Sequence, residues 1–218
     1  LTTALISITG AGVLFANMRI ANSIDACVYV VSVTGNGCVL RDLEIIDGAA
    51  ANAENVIHCT TDRCVLDNIR IISNTGGTQG DSAFHLAGCD DMVIRNCHVF
   101  GGDWADGLIQ NETTTCTNIL IDHCSFQTVA TENILTAWLA NATGIIRDTT
   151  CFISGAGQVT ELSTMFGGNV ARKIILDNVR VARVDGGPTF NLTGSSASPT
   201  AVGTLPSSEQ HWYVDSAN

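Results

Sequence analysis

Asp103 and Asp106 stand three residues apart in the turn Gly101-Gly102-Asp103-Trp104-Ala105-Asp106-Gly107, with an aromatic ring between them. A third carboxylate, Asp81, lies in the related stretch Gly80-Asp81-Ser82-Ala83-Phe84-His85. Carboxylates held this close can divide the work of general acid and general base on a glycosidic bond. Trp104 offers a flat apolar surface of the kind that stacks on a sugar ring. His85 is expected to point outward beside Asp81, on the floor of a groove, if Phe84 and Leu86 face a core. His58, by the same alternation, is expected to point inward. The ordinary reading of the same residues is that Asp-Gly and Gly-Asp are turn dipeptides and that acids on a loop are solvated. Asp81, Asp103 and Asp106 offer oxygen ligands of the kind calcium takes, but the glycine-rich nonapeptide repeats of calcium-binding β-rolls are absent. No other metal or cofactor is expected.

The elements that must hold these residues follow from internal repetition. Seven segments share a pattern of alternating apolar residues broken by Asn, Asp or His, at Asn17, Asp42, Asn68, Asn96, His123, Asp148 and Asn178, separated by 25, 26, 28, 27, 25 and 30 residues. A period of this length with short β-type runs inside it means one supersecondary unit per repeat, stacked on its neighbours. A leucine-rich repeat needs a regular L-x-x-L-x-L series, which is missing, and the spacing of amphipathic helices is almost absent. The expected fold is therefore all-β: a right-handed single-stranded parallel β-helix of about seven coils, roughly 34 Å long at about 4.8 Å per coil. The second strand is expected at Val65-Leu66 and its equivalents, the marker in the bend after it, and the third strand at Ile69 to Ile72 and its equivalents. First strands are expected at 27–33, 55–59, 83–87, 107–110, 134–139 and 162–166. A side-chain amide or carboxylate in each bend satisfies backbone groups and its stacked neighbours, so the marker column reads as structural.

The nine cysteines fall under the same logic. Cys38/Cys64, Cys89/Cys116 and Cys97/Cys124 are each one coil apart, which makes them neighbours in buried or turn columns. Parallel Cβ vectors about 4.8 Å apart are wider than a disulfide prefers, so free thiols are expected. Residues 1–183 form the expected β-helix. Residues 184–218 hold all three prolines and a Gly-Ser-Ser-Ala-Ser run, and are expected to be an irregular tail that caps the open end of the last coil or reaches another subunit.

Composition narrows the function classes. With 45% hydrophobic and 14% charged residues among 218, the chain is a folded repeat array and not a disordered one. Its longest apolar run, Ala26 to Val31, is far shorter than the roughly 18 residues a spanning helix needs, so no membrane insertion is expected. A net charge of −11 opposes phosphate backbones, which makes nucleic acid an unsuitable partner. The chain begins at Leu1 with no basic-then-apolar leader, and is expected to be a piece or processed product of something longer. A polysaccharide lyase would need an Arg or Lys base facing its substrate. The variable loops are acidic instead, and Arg41, Arg70, Arg95, Arg147 and Arg180 sit around the marker bend.

The coils, the bend column Asn17/Asp42/Asn68/Asn96 and the Asp103-Trp104-Ala105-Asp106 turn resemble the pectin-lyase-like right-handed β-helices, and within them most resemble the tailspike and tail-fibre proteins of bacteriophages. The resemblance covers about residues 5 to 183. It implies a homotrimer of parallel rods on a virion tail that binds a bacterial surface polysaccharide, in many members hydrolysing it through paired acids. On that pattern Asp103, Asp106 and Asp81 are the catalytic candidates of a glycoside hydrolase, and Trp104 and His85 the substrate-binding ones. The pectinase-type Asn-x-Asp and Gly-His-Gly signatures are absent. Two other classes fit the residues: a secreted monomeric carbohydrate-active enzyme, and a purely structural fibre segment.

Overall fold

A computed structural model describes residues 3–48, 53–73, 80–102, 104, 108–111, 114–128, 136–138, 142–153, 173–183, 189–195 and 198–201. The first coil is built from β1 (Ala4–Ile8) and β2 (Leu14–Asn22), the second from β3 (Tyr29–Val33) and β4 (Val39–Asp47), and the third from β5 (Asn55–Cys59) and β6 (Val65–Ser73). The fourth holds β7 (Ser82–Leu86), β8 (Val93–Arg95) and β9 (His98–Gly101), and the fifth β10 (Ile109–Asn111), β11 (Ile119–Asp122) and β12 (Ser125–Thr128). Beyond them come β13 (Thr136–Trp138), β14 (Thr143–Arg147), β15 (Thr150–Ile153), β16 (Lys173–Arg183), β17 (Thr189–Ser195) and β18 (Ser198–Ala201). Strands β1, β3, β5, β7, β10 and β13 pair in parallel as one sheet, and the remaining strands form a second sheet of twelve. The chain is a parallel β-solenoid. Among the described residues there is no helix, and so none long and apolar enough to cross a membrane.

About five turns are complete, against the seven expected. The last coil's first strand, expected at 162–166, lies outside the described residues, and the coil before it is described only in part.

The second and third strands are not separate elements in the early coils. β2, β4 and β6 each run nine residues straight through the marker, which bends them without ending them. All seven markers have positive φ, from 46° at Asp148 to 59° at Asn17, the left-handed region that Asn and Asp enter most readily among residues bearing a Cβ. The amide of Asn68 donates to Asp42 (2.8 Å) and that of Asn178 to Asp148 (2.7 Å), so the column binds coil to coil. A second left-handed column, Gly12, Gly37, Arg63, Asp91 and Asn118, runs five residues earlier. Its amides bond the next coil's carbonyls, as Gly37 N to Asp62 O (2.9 Å) and Arg63 N to Asp90 O (2.8 Å).

Inside, Leu40, Leu66, Ile94, Ile121, Ile146 and Leu176 stack as a fully or almost fully buried column, and the rings of Phe84 and Phe126 meet at 6.3 Å. All nine cysteines are buried and free, as expected. Several thiols donate to carbonyls about one coil back, such as Cys89 Sγ to Cys59 O (3.0 Å). Asp47, one of the acidic residues of the loop edge, ends β4 fully buried, accepting from Asn22 Nδ2 (2.8 Å) and the Ala53 amide (3.0 Å).

Outside, the arginines near the bend form ladders. Arg41, Asp67, Arg95, Asp122, Arg147 and Asp177 are consecutive register partners, so charge alternates at every coil. Arg95 reaches Asp67 at 2.8 Å, and Arg147 holds Asp122 with two bonds of 2.9 and 2.8 Å. Across the bend Glu44 accepts from both Arg19 (2.8 Å) and Arg70 (2.9 Å). Two residues before the alternating ladder lies an outward apolar column, Leu14, Val39, Val65, Val93, Leu120, Ile145 and Ile175. A second column, on the third strands, contains Ala21, Ile46, Ile72 and Phe100, is interrupted by Gln127, and continues at Phe152.

At the far end, β17 pairs antiparallel with β16 and β18 with β17. The segment expected to be irregular thus supplies two ordered strands at the last edge, which satisfies backbone groups that a bare edge would expose. Residues 184–188 and 202–218 lie outside the described residues.

Candidate functional site

The first-strand sheet is where the described candidates meet. Ile57, Cys59, Phe84 and Leu86 are fully buried on its inner face, which turns the alternate residues outward. In register along the rod, the outward column reads Ser7, Ser32, His58, His85 and Gln110. His85 is half-buried on this face, flanked by Phe84 and Leu86 as expected. His58 does not point inward. It occupies the same outer column one coil before His85. The five residues of β5 are buried on both faces, so their burial carries no alternation from which the phase could be read.

The Tyr29 ring stacks on His58 with centroids 4.0 Å apart and planes within 7°. His85 follows at 4.9 Å, tilted by 54°. Three rings thus run along the rod axis. Burial first, and then the neighbouring His85, lowers the His58 pKa to about 4, so its imidazole is neutral at pH 7. Burial also raises the Tyr29 phenol, helped by the carboxylates of Glu54 and Asp81. Those two acids mark the entry to the strands, where the amides of Asp81 and Ser82 bond the Glu54 carbonyl at 2.6 and 3.1 Å. Ser82 Oγ donates to Asn55 Oδ1 at 2.5 Å. The result is an aromatic row in which Tyr29 and His85 are part-exposed while His58, Asn55, Ser82 and Gln110 are buried, with carboxylates at one edge. The part-exposed rings of Tyr29 and His85 are flat faces of the kind that stack against the apolar side of a sugar.

Of the expected site residues, Asp81 and His85 are placed on this sheet. Asp103 and Asp106 lie outside the described residues, as does any calcium arrangement that needs them. Trp104 is fully buried, and its role as an exposed sugar platform is not what the structure shows. Its indole covers Gly102, where a Cβ would come within 2.3 Å of the ring, and touches Gly80, where a Cβ would lie 3.3 Å from it. Trp104 therefore closes the turn as packing. Among the described residues its Nε1 has no hydrogen-bond partner.

Asp122, His123 and Asp148 bring three ligand atoms within 4.8 Å of one another, the only such group among the described residues. Both Asp122 oxygens already accept from Arg147, and one also contacts His123 Nδ1 at 2.6 Å. Hydrogen bonding to Arg147 lowers the Asp122 pKa despite burial. The group belongs to the charge ladder.

Tyr29, Asn55, Ser82 and Gln110 were not singled out by residue type or motif. The usable signal was the one-coil separation of His58 and His85, the same kind that placed the cysteines. No protein-family model matches the chain, and neither a curated protein nor a solved structure matches it at a significant level.

Proposed function

We propose that this chain is a glycan-binding module of the kind carried on bacteriophage tailspikes and tail fibres, a pectin-lyase-like β-helix that docks a bacterial surface polysaccharide along its first-strand sheet. The observation that supports this reading is the axial run of Tyr29, His58 and His85, three rings stacked from coil to coil, of which Tyr29 and His85 are part-exposed. A linear polymer lying along the rod meets the rings in succession. The subunits associate side by side as a homotrimer on a virion tail. Three chains carry −33, three times −11, so the reading favours neutral or weakly charged glycans over strongly anionic ones. Hydrolysis attaches to the reading through Asp81 with Asp103 and Asp106 as the acids of a polysaccharide depolymerase.

The test is calorimetric titration with a panel of purified neutral bacterial polysaccharides, repeated on Tyr29→Ala and His85→Ala. Each substitution is expected to weaken binding about 5- to 30-fold, the equivalent of roughly 1–2 kcal/mol for a lost stacking contact. Binding unaffected by both substitutions would move the site off this sheet, and an absence of binding at millimolar ligand would favour a structural fibre segment. Reducing ends released by the wild type but not by Asp81→Asn would establish cleavage.

A further inference from the structure

The second strands turn two columns outward. One is the apolar column that begins at Leu14 and ends at Ile175, in which Leu14, Ile145 and Ile175 are 57%, 38% and 54% exposed. The other, two residues further along each strand, is the charged ladder Arg41, Asp67, Arg95, Asp122, Arg147 and Asp177. Its sign alternates without a break over an even number of rungs. Such a series becomes its own complement when reversed, so this face matches a second copy of itself turned end for end. We infer that the second-strand faces of two copies of this chain pack together with their rods antiparallel, as a twofold-symmetric dimer centred between the coils of Arg95 and Asp122. The pairing goes beyond the reading above and does not rest on it. It leaves the first-strand sheet to the glycan, and a homotrimer would form through the third-strand side.

Two features of the face select this arrangement. Identical faces meet about a twofold axis lying in the plane of contact. An axis along the rods keeps them parallel but reverses the strand direction, so the apolar column and the ladder cannot both fall on themselves. An axis across the rods makes them antiparallel and preserves the strand direction, so each column meets its own reversed copy. In the ladder, Arg41 then faces Asp177 of the other copy, Asp67 faces Arg147, and Arg95 faces Asp122. In the apolar column Val39 meets Ile175, Val65 meets Ile145, and Val93 meets Leu120. The marker column obeys the same reversal, with Asp42 opposite Asn178, Asn68 opposite Asp148, and Asn96 opposite His123. No two like charges stand level in either charged column. Asp67 and Asp122 keep their bonds to Arg95 and Arg147 within the chain, so the contact covers no unpaired carboxylate there. The face runs about 29 Å along the rod and about 17 Å from the left-handed column to the markers, roughly 500 Å² per copy at the strand spacing and rise. Twice that area is the low end of a specific interface, which sets a dimer that forms with rising concentration.

The test begins with sedimentation equilibrium of the whole chain from micromolar to millimolar concentration. An isologous contact joins copies in twos, so the expected mass is twice 22.9 kDa, or six times where the trimer also forms. A mass that stays at one chain or at three overturns the pairing, and the glycan titration is unaffected by either result. Ile145→Glu, at an exposed position that leaves the core untouched, is expected to halve the mass, with folding followed by circular dichroism and Ile145→Gln as the milder replacement. A dimer that survives both substitutions overturns the face. Orientation is read with a short bifunctional maleimide, to which the nine buried native thiols are closed. Mixed Val65→Cys and Ile145→Cys proteins are expected to cross-link across facing sheets about 10 Å apart. Neither variant alone is expected to do so, since each new thiol lies about 14 Å further along the rod from its own counterpart, three coil spacings. A cross-link in either variant alone shows parallel rods and overturns the antiparallel pairing. A dimer that gives none in the mixture overturns its register.

Discussion

Replacing Asn68 by alanine and, separately, by glycine separates the two roles of a marker residue. Asn68 is exposed, has φ of 52°, and donates to Asp42 at 2.8 Å. Both substitutions remove that hydrogen bond, a loss of about 0.5–1.5 kcal/mol. Alanine also places a Cβ in the left-handed region at about 1–2 kcal/mol. Glycine avoids that strain but adds about 0.4–1 kcal/mol of freedom to the unfolded chain. Alanine should therefore cost roughly 1.5–3.5 kcal/mol and glycine about 0.5–1 kcal/mol less. For a chain of this size each kcal/mol moves the melting temperature by about 2–4 °C, so the two variants differ by a few degrees in a thermal scan. A glycine variant as unstable as the alanine one, or an alanine variant as stable as wild type, would falsify the claim that backbone handedness fixes this column.

The buried state of His58 gives a pH signature. Its pKa is lowered from 6.5 to about 4 in the folded chain, so the stability contributed by the neutral ring is fully present above pH 6.5 and is lost progressively as pH falls toward 4. Urea melts across that window should show the wild type losing stability faster than His58→Gln; parallel slopes would contradict the burial. All nine thiols are buried, and burial pushes Cys151 up to about 12 and Cys59 well above its ordinary value. An aromatic disulfide reagent should therefore titrate none of them in the native protein and nine in denaturant, and a native thiol that reacts within minutes would refute the packing.

The solenoid was legible because stacking puts like over like at the markers and cysteines, and a repeated residue type at a repeated spacing is visible without coordinates. The second left-handed column was not, since Gly12, Gly37, Arg63, Asp91 and Asn118 share a conformation and no chemistry. The Arg41-to-Asp177 ladder was hidden for the opposite reason: its residues alternate in sign, so a search for likeness at one period sees only a scatter of arginines near the bend. His58 was misphased because β5 is buried on both faces. Trp104 was misread because an aromatic between two acids in a glycine-rich turn has the composition of a sugar platform, and only the coordinates show the ring filling the space above Gly80 and Gly102. Asp47 stands among the loop acids in the sequence, and its burial under Asn22 and Ala53 depends on a neighbouring coil.

The alternating ladder also limits how such a rod can grow or shrink over evolutionary time. Removing the single coil that carries Asp67 would seat Arg41 directly against Arg95, about 4.8 Å apart, and every later step would be joined to the earlier ones through one repulsive contact. Removing or duplicating two adjacent coils leaves each positive rung facing a negative one. The heritable unit of length in this chain is therefore a pair of coils, twice the structural repeat, and a lineage that changed length by one would have to rewrite the sign of every rung on one side of the junction.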